Sequence, residues 1–325
     1  MAELVRVALD GYGGDRGPEI TRQGARLALA ADPDLEILFV ADGEARREDP
    51  ERLHAVPSAG ALPEGGHPAQ LLRSQPDLSV GLAARLVSDG RADAFVSAGH
   101  TGATMIAARW QIGTFPEVNR IPAGTTLPLP MANPPLLLDM GANARVRGGD
   151  LAVFAALGVA YMRAVRGLAR PRVAILANGV EEGKGTPETA EARSALERSG
   201  LNFVGYLEPV DIPAGGADVL VAEGFVGNLM IKWMEGLAGL ISALADELPA
   251  ASAAHMRRYL EPMRDITRSL DPLLLLGVKG VAVPGHGRSE PEDIAHLIGN
   301  GAQAVRGRLV NRISESLAQL AVREA

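Results

Sequence analysis

The sequence predicts an α/β fold, a parallel or mixed sheet covered by helices on both faces, and three observations carry that expectation. Short aliphatic runs recur along the 325 residues, at 4–9, 36–41, 94–96, 136–138, 173–176, 219–221 and 278–283, and most are followed by a helical stretch. The runs are continuous rather than alternating, as expected for strands buried on both sides. The composition, 38 glycines and 22 prolines with 4% aromatics, fits many short connections around a core of small aliphatic side chains.

The first run ends at Asp10 and opens into Gly11, Gly13 and Gly14 before an apolar periodicity over 20–30, reading as strand, loop, helix. The segment 42–76, with Pro57, Pro63, Pro68 and Pro76, reads as loop with one weak strand at 54–57. A helix over 79–88 stops at Asp89-Gly90, and another is expected over 103–110. The dense Ala, Leu and Val face of 150–166 predicts a buried helix. Pro187 at a first turn and Gly200 beyond the end bracket a helix over 187–198. Over 229–270 the rhythm lengthens: Met230, Met234, Leu237, Ile241, Leu244 and Leu248 repeat at helical spacing, and after Pro249 a second pattern follows through Met256, Leu260, Met263, Thr267 and Leu270. This predicts a helical hairpin, either projecting from the sheet or packed beside it, with two ordinary surface helices as the equal alternative. Ser289 marks the start of a helix over 292–308. The chain as a whole, 1–325, is read as a single α/β catalytic domain with 229–270 as an insertion.

A net charge of −7 gives no support to a global nucleic-acid-binding surface and leaves room for a local basic patch. Without cysteine there is no thiolate nucleophile, disulfide framework or thiolate metal site. The opening residues do not have the form of a signal peptide, and no apolar run reaches the ~20 residues of a spanning helix, so a cytoplasmic location is the default expectation.

Glycine-rich loops follow several of the strands: Asp10 to Asp15, Ser97 to Gly102, Asp139 to Asn143 and Glu223 to Asn228. In open α/β sheets ligands sit beyond the carboxyl ends of strands, where loops and helix starts offer N–H groups to an anion. Candidate phosphate or substrate contacts are therefore Asp10, Gly13, Gly14, Ser97, Gly99, Thr101, Gly102, Asp139, Asn143, His286, Arg288 and Ser289. Each of these also has an ordinary use: glycines make turns, Asp10 and Asp139 tie down loops, Asn228 caps a helix, and His100 either moves a proton or caps its turn. In the loop 181–185, Lys184 offers a mobile positive charge to phosphate or to a developing oxyanion, although no Walker A spacing surrounds it. Arg257, Arg258, Arg264 and Arg268 form a local basic stripe suited to an acidic partner, or a solvated face interleaved with Glu261 and Asp265.

Taken in order, these segments resemble the PlsX family of acyl-acyl-carrier-protein:phosphate acyltransferases. The likeness runs from Ala8-Leu-Asp10 and Gly13-Gly-Asp15 through Val96 to Ala103, Asp139 to Asn143 and Glu181-Glu-Gly-Lys-Gly185 to Asp218–Asn228, Leu276 to Gly280 and His286-Gly-Arg-Ser289. The resemblance implies a three-layer αβα fold of the isocitrate dehydrogenase/phosphotransacetylase type, a homodimer, and transfer of a long acyl chain from acyl carrier protein to inorganic phosphate for phospholipid synthesis. It further implies Lys184 and Asn228 as residues tied to activity, no metal or other cofactor, and peripheral membrane contact through the hairpin tip. The basic stripe would then meet the carrier protein. Departures from the family pattern are Arg16 for a histidine, His100 for an asparagine, Ala177 for an asparagine and Glu223 for an aspartate, together with the stretch 144–149. The nearest alternatives are a phosphotransacetylase acting on acyl-coenzyme A and a noncatalytic acyl-lipid-binding protein. A dinucleotide-dependent dehydrogenase is disfavoured because Gly-Tyr-Gly-Gly-Asp lacks the Gly-x-Gly-x-x-Gly spacing.

Overall fold

The computed structural model describes residues 3–42, 50–63, 65–181, 183–264 and 274–321. In chain order the elements begin with β1 (Val5–Asp10), α1 (Pro18–Ala31), β2 (Leu35–Ala41), β3 (Leu53–Pro57), α2 (Pro68–Ser74), α3 (Ser79–Ser88), β4 (Ala94–Ser97) and α4 (Thr101–Ala107). They continue with β5 (Ala123–Thr126), β6 (Leu136–Leu138), α5 (Gly148–Ala164), β7 (Arg172–Leu176), α6 (Pro187–Arg198), β8 (Asn202–Leu207) and β9 (Val219–Val221). The last are α7 (Gly224–Leu244), α8 (Ala250–Arg264), β10 (Leu274–Leu275), β11 (Val281–Pro284), α9 (Pro291–Arg306) and α10 (Leu309–Ala321). The chain divides into two compact units, one from residues 1–116 and 272–311, the other from 117–271 and 312–325.

In the first unit the strands run in the order β11-β4-β1-β2-β3, all parallel. One helix group, α1 with α9, and another, α3 with α4, each pack on these strands, which explains why Val7, Leu9, Phe95 and Val96 are all buried. Parallel pairing brings the carboxyl ends of β1, β4 and β11 to one edge: Leu9 pairs with Val96 and Pro284 with Ser97.

In the second unit the strands follow the order β5-β6-β9-β7-β8, with β5 antiparallel to β6 and the remaining pairs parallel. Helix α5 packs on β6, β7 and β9 and is buried through most of its length, with Phe154 at the centre; α6 lies against α5 and β8, and α7 against β6. An apolar cluster including Leu137, Leu176, Leu207, Leu220 and Ile231 joins the strands to α7. At the strand edge, the Asp218 carboxylate takes three hydrogen bonds from Arg172, at 2.7–3.1 Å. Burial pushes the Asp218 pKa up, but these bonds and the guanidinium charge hold it below the ordinary carboxylate value.

The structure differs from the sequence reading at identifiable points. The segment 42–76 holds a five-residue strand, β3, and also α2, whose Pro68 start and buried Leu72 are too brief a pattern to display periodicity. Strand β8 was missed because Gly205 interrupts its apolar run, and β5, Ala-Gly-Thr-Thr, has no aliphatic run although all four residues are buried. The helix expected over 103–110 begins at Thr101 and loosens into a π turn over Ala108–Ile112. Helix α9 is capped by Glu290 rather than Ser289, since the Glu290 amide donates to the Asp293 carboxylate at 2.9 Å.

Candidate active site

Three loops of the first unit gather where β1, β4 and β11 end. Gly13 lies so close to the β4 loop that a Cβ there would stand 2.8 Å from the Ala98 amide nitrogen. Asp15 donates its amide to the Gly287 carbonyl at 2.7 Å, and Arg16 pairs with Glu290 at 2.5 Å. Gly14 takes φ 124°, a conformation open to glycine.

Beneath these loops sits a buried hydroxyl and carboxylate cluster. Asp10, 3% exposed, accepts the Ser97 hydroxyl at 2.8 Å and the Tyr12 amide at 3.2 Å. Ser97 in turn accepts the Gly99 amide at 3.2 Å and the Thr104 hydroxyl at 3.3 Å. Burial raises the Asp10 pKa to about 6, against the opposing hydrogen bonds of Ser79, Ser97 and Gly13. The single Ser97 proton is thus given to Asp10, and Ser97 meets the loop from below.

His100 is the N-cap of α4: its Nδ1 accepts the Ala103 amide at 3.3 Å while the ring stands exposed. With Nδ1 accepting, the neutral ring carries its proton on Nε2. Thr101 and Gly102 form the first turn and are half-buried. On the β11 loop His286 and Arg288 are exposed, and the Ser289 hydroxyl accepts the His286 amide at 3.4 Å.

In the second unit the carboxylate of Asp139, fully buried after β6, is saturated by its own surroundings. It accepts the amides of Ala123, Gly141, Ala142 and Asn143 at 2.7–3.1 Å and the Asn143 side-chain amide at 2.8 Å. Asn143 spends its second side-chain N–H on the Ile121 carbonyl at 2.8 Å. Both side chains shape the loop, the tie-down alternative of the sequence reading. Helix α7 lands on this loop through Gly227 and Gly224, the latter donating its amide to the Asn143 carbonyl at 2.8 Å. Asn228 is not a cap, because α7 starts at Gly224 with Glu223 as N-cap; its exposed side chain donates to the Met140 carbonyl at 3.3 Å.

Lys184 is exposed on the turn between β7 and α6. Asn178, which sequence reasoning passed over, organises that turn by accepting the Gly185 amide at 3.0 Å. Among the described residues no carboxylate lies within ion-pair distance of Lys184. Arg257 and Arg258 are exposed on α8, Arg264 ends that helix, and Arg268 lies outside the described residues. The structure therefore brings together Asp10, Gly13, Ser97, Gly99 and His100 in one unit and Asp139, Asn143 and Asn228 in the other. Ser79 and Thr104 belong to the first cluster and were missed; each reads in sequence as an ordinary helix polar residue.

Glycine-rich loops at the ends of parallel strands, on this order of strands and helices, define a phosphotransacetylase-like α/β protein. The solved structures agree: a phosphotransacetylase from Streptococcus pyogenes matches with TM-score 0.61 at 16% identity, covering 93% of this chain and 94% of that one. A branched-chain phosphotransacylase from Enterococcus faecalis matches with TM-score 0.61 at 15% identity, covering 93% and 99%. The family described as "Fatty acid synthesis protein" matches residues 5–312. Phosphate acyltransferase of Myxococcus xanthus is 36% identical over 334 residues, 95% of this chain and 94% of that protein. Phosphate acyltransferase of Streptococcus uberis is 33% identical over 329 residues, 97% and 98%. The chain belongs to this phosphate acyltransferase family, PlsX, and is an acyltransferase enzyme.

Proposed function

We propose that this enzyme transfers a long-chain acyl group from acyl carrier protein to inorganic phosphate, forming acyl phosphate for phospholipid synthesis. The observation that carries the reading is the convergence of the β1, β4 and β11 loops, with Gly13 against Ala98 and Asp15 bonded to Gly287. Such an edge lets backbone approach a small anion closely. The phosphate contacts assigned here are Gly13, Gly14, Gly99, Thr101, Gly102, His286 and Arg288.

A phosphate oxygen attacks the thioester carbonyl, the new C–O bond forms, and the C–S bond breaks to release the thiolate of the carrier's prosthetic arm. Phosphate is already anionic at neutral pH, so no nucleophile of the protein is required. The family resemblance ties Lys184 and Asn228 to activity, and the exposed Nε2–H of His100 orients phosphate or donates to it. The family's description as a fatty acid synthesis protein supports the lipid pathway. The exposed Arg257 and Arg258 support an acidic protein donor over a small thioester. On α7, Phe225, Leu229, Trp233, Leu240 and Leu244 are exposed along one stripe, which supports coverage by a second copy of the chain. Leu244 and Leu248, exposed at the turn into α8, support a peripheral membrane contact. Among the described residues no helix is long and apolar enough to cross a membrane.

The test is acyl phosphate formation by the purified chain from long-chain acyl carrier protein and phosphate, with acyl-coenzyme A in parallel. Phosphate-dependent product from the carrier protein, lowered ~10²-fold or more in kcat by Lys184→Ala, is the expected result. Turnover with acyl-coenzyme A alone would replace the donor, and inactivity with both would leave an acyl-binding protein.

A further inference from the structure

We propose that Asp10 is a positioning residue that acts through Ser97: its buried carboxylate fixes the Ser97 hydroxyl, which holds the Gly99 amide and Thr104 and so sets the backbone of the 97–102 loop. The inference rests on the reading that this loop receives phosphate.

The argument is one of donors and acceptors. Ser97 has one proton and two lone pairs: the proton goes to Asp10 at 2.8 Å, one lone pair takes the Gly99 amide at 3.2 Å, and the other faces the Thr104 hydroxyl at 3.3 Å, whose single proton is shared with the His100 carbonyl at 3.3 Å. The direction of the whole cluster follows from Asp10 being an acceptor on both oxygens, toward the Tyr12 amide on one and Ser97 on the other. Protonated, the same carboxyl becomes a donor and competes for a Ser97 lone pair; Thr104 can turn to the His100 carbonyl at 3.3 Å, so the bond at stake is the one from the Gly99 amide. No cation stabilises the charge among the described residues. Of the charged groups on β1 and the elements packed around it, Arg6 of β1 pairs with Asp93, Arg22 of α1 lies over the Phe39 ring, Glu36 of β2 faces His54, Arg85 of α3 pairs with Asp77, and on α9 Asp293 accepts the Glu290 amide and Arg306 pairs with Asp32. Asp10 is held only by hydroxyls and amides, including Ser79 of α3, and burial accordingly lifts its pKa to about 6. Ionised Asp10, and with it the ordered loop, is therefore present above that pH and lost below it.

The experiment compares the full chain with Asp10→Asn and Ser97→Ala, measuring kcat and the KM for phosphate from pH 5 to 8. Taking the ratio of wild type to variant at each pH cancels the ionisation of phosphate itself. The expected ratio of kcat/KM for phosphate is ~10–10²-fold above pH 7, carried by the phosphate KM with the acyl-donor KM unchanged, and shrinks toward one as pH falls through about 6. The double variant should be no worse than either single one, since both break one chain of bonds. Should Asp10→Asn fail to fold, Ser97→Ala carries the same test, because without the hydroxyl the charge on Asp10 no longer reaches the loop. A ratio flat across pH, or additive losses in the double variant, overturns the positioning role while leaving the proposed activity standing. A wild-type chain that forms no acyl phosphate overturns both.

Discussion

Helix α7 meets the loop after β6 with no room for a side chain, and Gly227→Ala measures what that contact is worth. A Cβ at Gly227 would lie 2.0 Å from the Asp139 carbonyl oxygen and 3.2 Å from the Met140 Cα, and ordinary contact begins at 3.4 Å. The helix start must therefore retreat by about 1.4 Å, the difference between 3.4 and 2.0. It cannot do so alone: the Gly224 amide is bonded to Asn143 at 2.8 Å and Asn228 to Met140 at 3.3 Å. Overpacking of this kind costs about 1–3 kcal/mol, offset by up to about 1 kcal/mol of helix propensity gained on replacing glycine. A net loss of about 1–2 kcal/mol is expected in urea denaturation, with kcat lowered up to ~10²-fold because Asn228 is moved from its place. Gly239→Ala is the internal control, on the same helix with nothing within 4 Å of the added carbon. It should be neutral or stabilising by up to about 1 kcal/mol and leave turnover unchanged. If the two variants behave alike, the close approach does not govern where α7 starts and the account of Asn228 fails.

Asp139→Asn should lower stability by at least about 2 kcal/mol, because one acceptor becomes a donor facing amides already aimed at it. An unchanged denaturation midpoint with only a raised substrate KM would instead show that Asp139 serves the ligand directly. Light scattering should give twice the mass of one chain, reduced to one by Trp233→Glu on the exposed α7 stripe; a wild-type protein of single-chain mass would refute coverage by a second copy.

The class of the fold and the addresses of its loops are legible in the amino-acid order alone. Continuous aliphatic runs such as Leu136–Leu138 and Val219–Val221 read as strands because three successive apolar side chains, all buried, suit a strand covered on both faces. Their ends, at Asp10, Ser97 and Asp139, were legible for the same reason, as were the start of α6 at Pro187 and the joint order of motifs that marks the family. What each polar group at those ends does depends on packing between distant segments. Asp10 and Asp139 look alike as strand-terminal carboxylates. One is filled by the amides of its own loop, whereas the other is held by hydroxyls from two other elements, Ser97 of β4 and Ser79 of α3. The difference depends on partners distant in sequence, 87 residues away for Ser97, and on burial, neither of which local pattern encodes. For the same reason β5, α2 and the true start of α7 were not legible: their stability comes from long-range packing rather than from local propensity.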